Sequence, residues 1–108
     1  MNIVHLEDRR ESRRDVEMFA RFRCGITTTT VMLRDLTPSG ARIEAVGRLA
    51  RDEAVSLALP GMKPLLTFVA WANDHGAGLE FAEPIAQADF GQLIETYGLN
   101  TGSMAIAA

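Results

Sequence analysis

From Val16 onward the chain alternates apolar and polar positions. Val16, Met18, Ala20 and Phe22 share one face; Glu17, Phe19, Arg21 and Arg23 share the other. That is the period-two pattern of a half-buried strand. Gly25 interrupts it. Thr27 to Thr30, all β-branched, lead into Val31-Met32-Leu33-Arg34 and predict a second strand. Ala41-Arg42-Ile43-Glu44 alternates again and ends near Gly47. Ala54 to Leu59 predicts a fourth strand, with Val55, Leu57 and Leu59 on its inner face. Leu65 to Trp71 is the most apolar segment, which places Trp71 in the expected core, and Ala77 to Phe81 predicts a sixth strand. Pro60-Gly61-Met62-Lys63-Pro64 and Asn73-Asp74-His75-Gly76 are strong turn signals between them. Short strands punctuated by turns about every ten residues predict an all-β barrel or sandwich, and a closed barrel leaves no long unpaired edge.

Beyond Phe81 the period changes. Phe90, Leu93, Ile94 and Tyr97 form a helical stripe, with Asp89 as the expected N-cap and Gly98 as the stop. Such a stripe is expected to dock on the domain's own core. Residues 1–15 are dominated by charge. In a helix, the like-charge pairs Arg9–Arg13, Arg10–Arg14 and Glu7–Glu11 would each cost about 0.2–0.5 kcal/mol, so a flexible arm is expected there. The expected organisation is an arm over 1–15, a barrel with its helix over 16–98, and a loose tail over 99–108.

Composition narrows the function. The 108 residues suit one domain, and 47% apolar content is enough for a core. A net charge of −3 argues against a general nucleic-acid binder, though not against a local basic patch. The single cysteine, Cys24, makes no internal disulfide and is expected to be a small packed residue. The N-terminus has no signal-peptide core, and Pro60, Gly61, Lys63 and Pro64 break the best candidate for a membrane span, Val55 to Ala72. A cytoplasmic protein with no membrane insertion is expected. His5 and His75 lack metal-ligand spacing, and neither a phosphate-binding glycine loop nor a nucleophile elbow is present, so no enzyme, metal or cofactor is expected.

Two stretches remain. The first is Asp35-Leu36-Thr37-Pro38-Ser39-Gly40, which reads as a turn at a sheet edge. Alone it is ordinary turn chemistry. The second lies about twenty residues upstream, the cluster Arg9-Arg10-Glu11-Ser12-Arg13-Arg14. Arginine forks bind phosphate or the O6/N7 edge of guanine and stack on bases. A carboxylate such as Asp35 accepts from guanine's N–H edge, while Thr37 and the backbone near Gly40 can donate to phosphate. Together they ask for a guanine-bearing, multiply anionic small molecule.

These motifs resemble the PilZ domain. Its pattern is an arginine pair in an N-terminal arm followed by Asp/Asn-x-Ser/Thr-x-x-Gly. Asp35 to Ile43 matches the second motif. Leu65 to Trp71 followed by Gly78-Leu79-Glu80-Phe81 matches the family's closing strands. The arginine pair is Arg9 with Arg13 or Arg10 with Arg14; Arg14 lies closest to the first strand, which favours the latter. Thr37 stands where Ser is commoner, and Ser39 where a second Gly is common. The resemblance implies a six-stranded antiparallel split β-barrel with a C-terminal α-helix. It also implies a receptor for cyclic di-GMP that regulates motility, surface attachment or biofilm formation through a downstream protein partner, as a monomer or weak homodimer. By the family pattern, Arg9, Arg10, Arg13 and Arg14 wrap the ligand, and Asp35, Thr37, Ser39 and Gly40 supply the barrel side. The alternative is a PilZ-fold interaction module that does not bind nucleotide.

Overall fold

The apolar faces of six strands meet in one closed barrel. The computed structural model describes residues 13–44 and 47–99. The strands are β1 (Arg14–Cys24), β2 (Thr27–Thr37), β3 (Gly40–Glu44), β4 (Ala54–Ala58), β5 (Leu65–Ala72) and β6 (Gly76–Phe81), followed by helix α1 (Gln87–Tyr97). Their order around the barrel is β1-β2-β3-β6-β5-β4, and β4 closes back on β1. Every pairing is antiparallel. The all-β barrel with one C-terminal helix is therefore as expected.

Alternation decides which residues fill the interior. Val16, Met18, Ala20 and Phe22 of β1 point inward, as do Val55, Leu57 and Leu59 around β4. Met18, Leu33, Leu36, Ile43 and Leu57 are among the largest fully buried side chains. Each is worth about 1.5–3 kcal/mol relative to solvent exposure. The buried polar residue Thr67 donates its hydroxyl to the Val55 carbonyl at 3.1 Å, so its burial leaves no unmet bond.

Three local expectations are corrected. β1 begins at Arg14 rather than Val16, drawing the last arm residues into the sheet; residues 1–12, and with them Arg9 and Arg10, lie outside the described residues. Trp71 is not core. The register of β5 on β6 shifts between Val69 and Trp71, which turns the indole outward over Gly78. A Cβ on Gly78 would meet the indole Nε1 at clashing distance, so glycine is what lets the ring lie flat on the sheet. Finally, Asp89 is not the N-cap. The helix starts at Gln87 after Ala86, which makes no side-chain cap bond, and Asp89 falls in the first turn, where its carboxylate complements the helix dipole.

Phe90 and Leu93 are buried, and α1 packs against β1. The helix ends with the Gly98 N–H donating to the Ile94 carbonyl at 2.8 Å. Gly98 then bridges to Val16, and the Leu99 N–H donates to the Asp15 carbonyl at 3.0 Å. The expected tail thus begins with a residue tied to β1; residues 100–108 lie outside the described residues.

Candidate functional site

The turn between β2 and β3 organises a cleft of about 380 Å³ on the outside of the barrel. Pro38 and Ser39 form the two-residue turn, and Thr37 pairs with Gly40 across it. Thr37 braces the turn: its hydroxyl accepts from the Ser39 N–H and donates to the Gly40 carbonyl, each at 3.3 Å. The turn is also pinned from the far side. The Ser39 carbonyl accepts from the Phe81 N–H at 2.8 Å and the Pro38 carbonyl from the Ile85 N–H at 2.9 Å.

Gly40 has a packing reason to lack a side chain. A Cβ there would sit 2.7 Å from the Leu79 carbonyl oxygen of β6, closer than real Cβ atoms approach. In the folded chain, the missing side chain makes room for the neighbouring strand.

Asp35 is the site's buried charge, at 8% exposure. The register of β2 on β3 shifts between Leu33 and Asp35, and the shift sets Asp35 directly opposite Arg42. Arg42 Nε donates to Asp35 Oδ2 at 2.5 Å. Burial alone would push the Asp35 carboxyl up. The hydrogen bonds from Arg42 and with Asp15, and the nearby charges of Arg42 and Arg13, outweigh it and hold the group below the usual carboxylate range. Asp35 is thus held as an anion in a partly dry setting.

Of the sequence-predicted residues, the fold brings Arg13, Asp35, Thr37, Ser39 and Gly40 together in this cleft. Arg14 is not among its lining residues: it is exposed, pairing in β1 opposite Leu36. Among the described arginines of the cluster, it is therefore Arg13 that faces the site. Ala41, Arg42 and Glu80 complete the lining, and the two charged residues were not singled out from the sequence. Each had looked like the polar half of an alternating strand. The β-sheet register extends the row sideways, from Asp15 through Asp35, Arg42 and Gly78 to Trp71.

The PilZ domain family model matches residues 7–97. The chain belongs to the PilZ domain family. The match spans the arginine cluster, the Asp35–Gly40 turn, the barrel and the helix, so the family resemblance holds over both motifs. Among solved structures, the chain is similar to the inhibitor of motility MotI/DgrA of Bacillus subtilis, with a TM-score of 0.62 at 14% identity. The alignment covers 81% of this chain and 48% of that one, so this PilZ chain spans about half the length of its structural neighbour. At that identity, the likeness shows a shared fold. No curated protein matches the chain.

Away from the cleft, no cluster of three or more His, Cys, Asp or Glu among the described residues could hold a metal ion. No described helix is long and apolar enough to cross a membrane. Cys24 is half-buried and donates its thiol to Glu53 Oε2 at 3.0 Å. That bond, burial and the Glu53 charge all push the thiol up.

Proposed function

We propose that this PilZ domain is a non-catalytic receptor for cyclic di-GMP. The observation that carries this reading is the convergence of Arg13 with Asp35, Thr37, Ser39 and Gly40 on one outward cleft. An arginine supplies a bidentate phosphate or guanine contact, and an ionised carboxylate accepts from guanine N1–H and its amino group. The remaining arm arginines, Arg9 and Arg10, would close over the ligand from the other side. Ligand binding would then change the surface offered to a protein partner, since a ligand shifts only those states it binds unequally. A motility, attachment or biofilm output is the reading taken from the family. The neighbour described as an inhibitor of motility supports the first of these. A cytoplasmic setting suits such a receptor.

Isothermal titration with cyclic di-GMP tests it, with GTP and a cyclic adenine dinucleotide as controls. Selective, saturable heat is expected, abolished or sharply weakened by Asp35→Ala and weakened by Arg13→Ala. Undiminished binding in both variants would overturn the site. A second reading is a PilZ-fold interaction module without nucleotide, favoured by the exposed apolar side chains Leu66 and Phe68 on the outer face of β5. It predicts neither heat nor a shift in Tm at high ligand concentration.

A further inference from the structure

Resting on the receptor reading above, we propose that Arg42 is a positioning residue that fixes the Asp35 carboxylate as an acceptor facing the cleft and thereby sets the preference for guanine over adenine. Arg42 lies two residues past Gly40, the last fixed position of the Asp-x-Thr-x-x-Gly pattern. It sits within β3, opposite Asp35 in the ladder, and its Nε reaches Asp35 Oδ2 at 2.5 Å. The pair is asymmetric: the Asp35 side chain is 11% exposed and that of Arg42 43%. The carboxylate is sunk into the cleft floor while the guanidinium lies over it and remains accessible to water. No other hydrogen bond involving the Arg42 side chain is formed among the described residues.

The discrimination follows from donor and acceptor patterns. Guanine's edge offers N1–H and an amino group, two donors that match a carboxylate. Adenine offers an amino donor beside the N1 lone pair, which a carboxylate repels. A protonated or rotated Asp35 would lose this distinction, because a carboxylic acid can donate to adenine N1. The charged groups that face Asp35 are Asp15 from β1, Arg13 just before it, Arg42 from β3 and Glu80 from β6 across the cleft. Of the two cations, Arg13 is exposed and lies just before β1, whereas Arg42 is anchored mid-strand. Arg42 is therefore the cation that holds Asp35 whatever the arm does.

Arg42→Gln and Arg42→Lys test this by calorimetric titration with cyclic di-GMP and cyclic di-AMP between pH 4.5 and 7.5. At pH 7, Arg42→Gln is expected to weaken cyclic di-GMP binding about tenfold or more, the scale of one lost charge-assisted hydrogen bond. It should also narrow the guanine-to-adenine ratio and introduce a loss of affinity on the acid side that the natural protein lacks. Arg42→Lys should restore the pH profile. If Arg42→Gln weakens both nucleotides by the same factor and keeps the natural pH profile, Arg42 is a plain phosphate contact and the positioning role is overturned. If the natural protein binds neither nucleotide, the receptor reading fails by itself. Carbon-13 NMR titration of the Asp35 carboxyl then decides the remaining point without ligand: a raised midpoint in Arg42→Gln upholds the hold on Asp35, and an unchanged one overturns it.

Discussion

Replacing Gly40 by alanine asks whether that position serves packing. The added Cβ would lie 2.7 Å from the Leu79 carbonyl oxygen, where ordinary contact begins at 3.4 Å, so about 0.7 Å must be found between β3 and β6. The obstacle is backbone of a paired strand, with Gly40 opposite Glu80 and Ala41 opposite Leu79. No side chain can rotate away. Overpacking of this kind costs about 1–3 kcal/mol. With a urea slope of about 1–2 kcal/mol/M, the unfolding midpoint should fall by about 0.5–3 M. Gly91 is the matched control. It lies in α1, and a Cβ there meets nothing within 4 Å. Gly91→Ala should therefore stabilise by about 0.5–1 kcal/mol through helix propensity. Urea unfolding followed by circular dichroism measures both. Because Gly40 and Glu80 edge the cleft, widening that pair should also weaken cyclic di-GMP binding. A Gly40→Ala variant as stable as the natural protein would refute the packing argument, and the glycine would then owe its place to the ligand.

Two further outcomes follow from charges. The Asp35 carboxyl is held low in the folded chain, so its contribution to stability is fully present above the unfolded value of about 3.9 and is lost as pH falls through the lower native value. The stability gap between the natural protein and Asp35→Asn, read from urea midpoints, should therefore be widest near neutral pH and shrink below about pH 4; a gap that does not change with pH would refute the ion pair. The Cys24 thiol is pushed up by its bond to Glu53, by burial and by the Glu53 charge. Iodoacetamide should accordingly alkylate it slowly at pH 8, and Glu53→Gln should accelerate the reaction, since the thiolate is the reactive form. Equal rates in the two proteins would contradict the contact.

The strands were legible because each buries one face. Period two from Val16 to Phe22 survives intact in the barrel, and so does the helical stripe at Phe90 and Leu93. What escaped depends on register. Trp71 follows an apolar run and reads as core, but the shift between Val69 and Trp71 turns it outward. Arg42 reads as the solvated half of an alternating strand, and only the ladder between β2 and β3 puts it on Asp35. Arg13 and Arg14 are adjacent in sequence, and only the start of β1 separates the one that lines the cleft from the one that does not. Leu66 and Phe68 look buried by composition, yet they occupy the outer face of a strand that alternates around Thr67 and Val69. Motif spacing pointed to the cleft, while strand pairing decided which side chains line it.

The way β1 is held has a consequence for the order of folding. Along most of its length it pairs with β2, its neighbour in sequence, but it closes the barrel on β4 only through Arg21–Ala58, Phe22–Leu57 and Arg23–Ser56. Its first residues are secured on that side by Gly98 and Leu99 instead. The β1–β2 hairpin can therefore form early and locally, whereas closure waits for partners more than thirty residues away. Non-local pairing of this kind slows folding, to about milliseconds to seconds in small β-barrels. During synthesis the Asp15 edge gains its partner only after Leu99 has left the ribosome. The strand next to Arg13 can thus form early, yet its full set of partners is complete only when the chain has reached Leu99.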